Sequence, residues 1–326
     1  MSRHVAIVWR GPISSCNYGC TYCPFAKARA SDAERAEDEA AVERFVDWAA
    51  GRRHPLSVFF TPWGEALVHR HYHRAIRRLS SMPHVRRVAV QTNLSPRLDG
   101  LAGGDPTKVQ LWATYHPDWT TQGRFLRQVA AARELSLSLS VGAVGFPDLL
   151  DHIEALRAAL PDDVYLWVNA VKRLADRYTD DELARLEAID PLFRANVRPH
   201  RSLGLPCDAG RHVVSVDGAG TVRRCHWVED ELGNLYEDEL LELLAPRACP
   251  ADQCRCHIGY VHLPSLGLAP LFGDGVLARI PEGWSEGRRP SLPPTAVSDA
   301  TDLAAPEQAP VDQESQRERT QWERAF

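Results

Sequence analysis

Short apolar runs recur along the chain at His4–Arg10, Leu56–Thr61, Val85–Thr92, Val109–Tyr115, Leu135–Val144 and Val164–Ala170. Their length and apolar content predict six strands. Between them the apolar positions take a helical period. Helices are expected at Asp32–Ala50, stopped by Gly51, and at Ala66–Ser80, ahead of Met82–Pro83. Others are expected at Gln122–Glu134, Asp148–Leu160 and Thr179–Ile189. The Gly- and Pro-containing stretch Ser95–Thr107 leaves a short helix or none between the third and fourth strands. Strands alternating with helices imply parallel βαβ units with right-handed crossovers. Six units fit an α/β partial (β/α)6 TIM-type barrel, and a doubly wound open sheet would give the same string. In both architectures ligands sit where loops leave the C-terminal ends of the strands.

Composition narrows the class. A 44% hydrophobic and 25% charged chain is that of a water-soluble globular protein. The net charge of −5 offers no general basic field, so nucleic acid is not an expected partner. No run of about eighteen apolar residues and no signal-peptide core is present, so no membrane partner and a cytoplasmic location are expected. In that compartment clustered thiols bind metal more often than they pair.

All eight cysteines fall in two groups, which argues for two metal sites. The first is Cys16, Cys20 and Cys23, a C-x3-C-x2-C triplet on the loop after strand one. Three thiolates on a four-iron cubane leave one iron open to a small molecule. Zinc would need a fourth ligand, and none lies close in sequence. The second group is Cys207, Cys225, Cys249, Cys254 and Cys256. There His212–Val216 and Thr221–Arg224 read as two strands joined by Asp217-Gly218-Ala219-Gly220, a hairpin that brings Cys207 and Cys225 together. Gly233-Asn234 reads as a loop, with a short helical run after it. A structural zinc site would suit the same thiolates.

The triplet, with Tyr22 before its last cysteine, resembles the signature of radical S-adenosylmethionine (SAM) enzymes. The resemblance extends from about Ile7 to about Leu263 and covers several strand exits. Trp63-Gly64-Glu65 is similar to the Gly-Gly-Glu segment that meets the SAM amino group, with Trp63 in place of the first glycine. A carboxylate suits an ammonium, and Gly64 lets the backbone come close. Thr92 and Asn93 resemble the pair that reaches the SAM ribose, and Gly142 and Gly145 fall at the adenine-side glycine-rich exit. The resemblance therefore implies a [4Fe-4S] cluster on Cys16, Cys20 and Cys23. It places SAM against Tyr22, Gly64, Glu65, Thr92, Asn93 and Gly142.

Cys207-x12-Gly220-x4-Cys225 resembles a twitch or SPASM C-terminal domain, although only three cysteines follow. That implies one auxiliary [4Fe-4S] cluster, with one of the five cysteines spare. The organisation expected is a barrel over residues 1–200, a small hairpin-and-helix iron–sulfur domain over 201–270, and a disordered tail over 281–326. Six prolines and few apolar residues mark that tail.

The implied activity is reductive cleavage of SAM to a 5′-deoxyadenosyl radical that abstracts hydrogen from a peptide or small metabolite. An electron donor such as flavodoxin or ferredoxin is then required. The competing class is a non-catalytic iron–sulfur or zinc protein that senses or carries electrons. A third reading, formation of a glycyl radical on a protein partner, shares the same motif.

Weaker signals are few. His69 and His73 are one turn apart on a helix but have no third ligand at a suitable interval. Arg70, Arg74, Arg77 and Arg78 make a basic helix face expected to be solvated, or to meet an acidic partner. Tyr115, His116 and Lys172 stand at strand exits, and His226 and His257 each follow a cysteine.

Overall fold

Strand β1 (Val5–Trp9) is buried along its whole length because it is covered twice. Val5, Ile7 and Trp9 face the helical layer, while Ala6 and Val8 face inward, as period-two geometry requires. The computed structural model describes residues 3–23, 25 and 28–297.

From β1 the chain alternates as the sequence predicts. Helix α1 (Asp32–Ala50) precedes β2 (Leu56–Phe60), and α2 (Arg70–Ser80) precedes β3 (Val85–Thr92). After β4 (Val109–Thr114) come α3 (Gln122–Glu134), β5 (Ser138–Gly145), α4 (Leu150–Ala159), β6 (Tyr165–Ala170) and α5 (Asp180–Ile189). Caps fix the helix starts. Ser31 with Glu34, and Thr179 with Glu182, form reciprocal capping boxes at α1 and α5. Strands β1 to β6 pair in parallel in sequence order, giving the open, partial TIM-type barrel. Ser95–Thr107 holds only two 3-10 turns, Asp99–Leu101 and Pro106–Lys108.

The C-terminal third consists of short pieces. These are β7 (His200–Arg201), β8 (Pro206–Cys207), β9 (Val213–Val216), β10 (Thr221–Arg223), β11 (Glu231–Asn234) and α6 (Leu240–Leu243). β12 (Arg247–Ala248), β13 (Gln253–Cys254), α7 (His257–Tyr260) and α8 (Ala269–Phe272) follow. The expected hairpin forms, but it does not stand apart. β9 pairs in parallel with β1, so one nine-stranded sheet runs β11-β10-β9-β1-β2-β3-β4-β5-β6. Gly233-Asn234, expected as a loop, belongs to edge strand β11, with Asn234 opposite Thr221. A glycine in a strand obscures the pattern, yet an edge position tolerates it.

Three other expectations are corrected. The helix predicted over Ala66–Ser80 is broken at His69, whose extended backbone separates a 3-10 turn (Ala66–Val68) from α2. His69 and His73 therefore do not share one helix face; the imidazole of His73 instead hydrogen-bonds the Leu67 carbonyl at 2.8 Å. The arginine-rich face expected to meet only solvent or an outside acidic partner is answered at two positions from within the protein. Arg74 pairs with Glu39 and Glu43, and Arg78 with Asp47, all on α1. The tail expected to be disordered from residue 281 is ordered as far as Val297. Trp284 is 5% exposed, packs on Tyr165 with ring centroids 4.7 Å apart, and donates to the Asp162 carbonyl. Burial of Trp284 and Ala296, with Leu292 packed beside them, helps offset the ordering entropy of a proline-rich segment that composition alone marks as loose. The rest of the expected tail, residues 298–326, lies outside the described residues.

The stretch before that segment, residues 260–279, fills the inner face of the sheet. Ala6, Val8, Phe59, Ala89, Trp112 and Trp167 form one apolar cluster with Tyr260, Leu263, Phe272, Leu277 and Ala278. Ser140 on β5 donates to the Ala278 carbonyl at 2.6 Å, and the Arg279 guanidinium lies 4.7 Å over the Trp167 ring. Arg87, early in β3, pairs with Asp274. These contacts lie toward the start and middle of the strands, so the strand exits are left to the loops. No helix among the described residues is long and apolar enough to cross a membrane.

Candidate active site at the strand exits

The loop after β1 begins at a turn held from beneath. Asp38 is completely buried on α1 and accepts from the Ile13 amide at 3.3 Å, the Tyr72 hydroxyl at 3.2 Å and the His71 imidazole at 2.7 Å. The sequence carries a signal for it: Asp38 occupies the same helical stripe as Val42, Phe45, Val46 and Ala49. A charged residue on an apolar stripe implies a buried partner.

Next along the loop, Ser15 forms a junction. Its carbonyl accepts from the Glu65 amide at 2.9 Å, and its hydroxyl accepts from the Ala30 amide. A Cβ on Gly64 would lie 1.8 Å from the Ser15 carbonyl oxygen, so only glycine allows the β2 exit to approach this loop.

Glu65 is 2% exposed, and its carboxylate joins the exits of β2 and β3. It accepts from Leu67 N at 2.9 Å, from the Thr92 hydroxyl at 2.9 Å and from the Asn93 amide. The Asn93 side chain continues to Asn17 at 2.9 Å and to the Cys16 sulfur at 3.9 Å. Residues singled out in three separate stretches of sequence thus meet in one hydrogen-bonded chain. Gly142 is placed differently: the room its missing Cβ leaves is taken by the Trp167 ring, 1.9 Å from where a Cβ would sit.

Burial dominates the electrostatics of Glu65, pushing its pKa up to about 7 against three stabilising hydrogen bonds. A carboxyl raised in the fold favours folding below its unfolded value of 4.5, and that contribution is lost as pH rises through 7. Denaturant unfolding should therefore show roughly 3 kcal/mol less stability at pH 8 than at pH 4.5 from this group. Glu65→Gln should remove that part of the slope. An unchanged slope would refute the assignment.

The three thiols of the first group lie within electrostatic reach of one another. Burial first, then Glu65 and Cys23, raises Cys16 to about 11; burial, then Cys23 and Cys16, raises Cys20 to about 12. Thiols so raised stay protonated near neutral pH and are poor free nucleophiles. The Cys23 amide bonds the Cys20 carbonyl at 3.1 Å and tightens the loop. Beyond it Tyr22 packs edge-on against Phe146 at 5.4 Å and borders a small hollow with Tyr115, Ala143, Val144 and Ile153.

The second group converges in the same way. β8 pairs with β12 and β7 with β13, setting Cys207 opposite Arg247 and Cys254 opposite His200. The Cys249 amide bonds the Leu205 carbonyl, and Cys256 opens α7. Burial and then Cys207, Cys256 and Cys249 push Cys225 up to about 12, and burial with all four others pushes Cys254 well above its usual value. Gly259 presses on Cys254, where a Cβ would stand 2.7 Å from the sulfur. Among the described residues, no three or more His, Cys, Asp or Glu side chains close tightly enough to grip a single metal ion.

Two cations near these thiols carry little or no signal in the sequence. Arg10, at the end of β1, is buried, donates to the Thr61 carbonyl at 2.9 Å and lies 4.8 Å from the Trp63 ring. Burial lowers it to about 10, opposed by Cys256 and Cys225. Lys172, past β6, is lowered by burial to about 8, opposed mainly by Cys256. Trp63, which replaces the first glycine of the expected segment, is thus the ring that covers Arg10. His226 and His257 are held neutral by burial, well below the usual histidine range.

Comparison with curated proteins finds no match. Several solved structures are similar at low identity. One is native anSMEcpe with bound AdoMet and the Cp18Cys peptide, at 14% identity and TM-score 0.44, over 74% of this chain and 82% of that one. Streptococcus suis SuiB is 15% identical with TM-score 0.46, over 74% and 66%. BtrN in complex with AdoMet and 2-DOIA is 15% identical with TM-score 0.33, over 75% and 83%. The family model described as the radical SAM superfamily matches residues 12–157, the span that holds the cysteine triplet and the exits of β2 to β5. Residues 12–157 therefore match a radical SAM domain, the domain type of enzymes that use SAM.

Proposed function

We propose that Cys16, Cys20 and Cys23 hold a [4Fe-4S] cluster and that SAM lies against Tyr22, Gly64, Glu65, Thr92 and Asn93, while Gly142, filled on its open side by Trp167, is left out of that set. The observation that carries this is the chain from Glu65 through Thr92 and Asn93 to Asn17 and Cys16. It ties the exits of β2 and β3 to the first thiol. When bound, the cluster supplies one electron to the sulfonium of SAM, leaving methionine and a 5′-deoxyadenosyl radical.

The protein's own part is to position and to exclude water. Glu65 holds Thr92 and Asn93 in register, and Gly64 lets the backbone meet the loop at Ser15. The apolar packing of Phe272, Leu277 and Ala278 keeps solvent from the inner face beneath the site. Four of Cys207, Cys225, Cys249, Cys254 and Cys256 would hold an auxiliary [4Fe-4S] cluster, in a hairpin-and-helix domain over residues 201–270. Their mutual proximity and the burial of Arg10 nearby support this set. The substrate is a peptide or small metabolite whose hydrogen is abstracted at the barrel mouth, with flavodoxin or ferredoxin as reductant.

Anaerobic reconstitution, iron and sulfide counting, and incubation with SAM and dithionite test the reading. About eight irons per chain and release of 5′-deoxyadenosine are expected. About four irons plus zinc would make the second site structural. Metal uptake without any 5′-deoxyadenosine would instead favour an electron carrier.

A further inference from the structure

The turn after β4 grips the cysteine loop through four of its residues. The His116 carbonyl accepts from the amides of Trp119 and Thr120, which folds 116–120 back on itself. Trp119 stacks on Tyr18 with centroids 5.6 Å apart and closes on Gly19, where a Cβ would lie 3.0 Å from the indole. The His116 ring meets Tyr18 edge-on at 6.0 Å and lies nearly parallel to Tyr22 at 5.9 Å. Its Nδ1 stands 2.8 Å from the Tyr22 hydroxyl oxygen and 3.5 Å from the Cys20 sulfur. One ring nitrogen therefore serves both the aromatic residue beside the hollow and a thiol of the triplet.

An imidazole nitrogen is either a donor or an acceptor. Facing a protonated thiol, Nδ1 accepts the Tyr22 hydroxyl proton. A cysteine bonded to iron has no proton left and is an acceptor, which favours the tautomer that carries hydrogen on Nδ1. Hydrogen bonds to ligand sulfur stabilise the more negative, reduced cluster and raise its potential.

We propose that His116 is a positioning residue that donates from Nδ1 to the cluster-bound Cys20 sulfur while its ring orients Tyr22, so that one side chain sets both the cluster's potential and the aromatic wall of the SAM site. The proposal rests on the cluster assignment made above.

The test is an EPR-monitored redox titration of reconstituted holoenzyme, following the signal that SAM perturbs. In His116→Phe the reduced-to-oxidised ratio at fixed potential should fall about tenfold, equivalent to about 59 mV for one electron. Tyr22→Phe should leave the potential unchanged while weakening the SAM-induced spectral change about tenfold in Kd. A wild-type potential in His116→Phe, or an equal displacement in Tyr22→Phe, overturns the proposal. If His116→Phe takes up no iron, His116→Asn decides, since its amide keeps an N–H donor. Loading with a near wild-type potential supports the role, and failure to load or a tenfold displacement overturns it. A wild-type protein with no SAM-perturbed signal would sink the cluster assignment instead, which keeps the two failures apart.

Discussion

Cys16→Ala, Cys20→Ala and Cys23→Ala variants are each expected to stay folded, retain about half the iron and release no 5′-deoxyadenosine. The three thiols sit on a loop that the sheet does not need, since β1 ends at Trp9 and α1 starts at Asp32. Losing a sulfur there removes few core contacts; even buried Cys20 contributes only a small side chain. Losing an iron ligand is another matter. Removing an outer hydrogen-bond partner of a metal site already costs roughly 10–100-fold, and removing the ligand itself should exceed that. Far-UV circular dichroism checks the fold, iron analysis the loading, and chromatography the nucleoside. Wild-type nucleoside yield in any of the three would refute the assignment. The matching double variant Cys207→Ala with Cys225→Ala, which leaves three thiols at the second site, should lose the other half of the iron and keep a SAM-perturbed signal.

The second large effect lies beneath that loop. Asp38→Ala should lower unfolding free energy by about 3–5 kcal/mol, read from the denaturant midpoint. Its carboxylate is completely buried and serves His71, Tyr72 and the Ile13 amide. Truncation strands all three polar groups out of water, and the cost comes from their lost partners more than from the lost side chain. Asp38→Asn keeps an acceptor and should cost roughly 1–3 kcal/mol. Because Ile13 is at the neck of the cysteine loop, Asp38→Ala should also slow iron uptake relative to Asp38→Asn. A loss below about 1 kcal/mol in Asp38→Ala would mean that the network is not needed.

How far the sequence carried depended on how local each feature is. α1, β3 and α3 form over Asp32–Ala50, Val85–Thr92 and Gln122–Glu134, the bounds expected from periodicity and caps. Such elements answer to their own residues: Ser31 with Glu34, and Thr121 before Gln122, set where the helices start. The break at His69 was not legible. Its cause lies in what the Ala66–Val68 turn packs on and in the Leu67 carbonyl that His73 takes. Nor could any spacing show that Arg74 and Arg78 answer Glu39, Glu43 and Asp47 on another helix.

The site divides along the same line. C-x3-C-x2-C, Gly64-Glu65 and Thr92-Asn93 could be read as separate signals at separate strand exits because parallel topology sends every such exit to one end. That they are wired through one carboxylate was decided by folding, as were the burial of Arg10 under Trp63 and the bond from His116 to Tyr22. The sequence by itself determined the order of strands and helices, the two groups of thiols and the strand exit that carries the first of them. Those follow from periodicity and residue chemistry, which act over a few residues. Only the tertiary structure decided that the C-terminal hairpin joins the barrel sheet beside β1, that Trp284 and its neighbours pack within the protein, and which polar groups share a proton. Contacts across tens to hundreds of residues depend on packing and desolvation, and no local pattern encodes them.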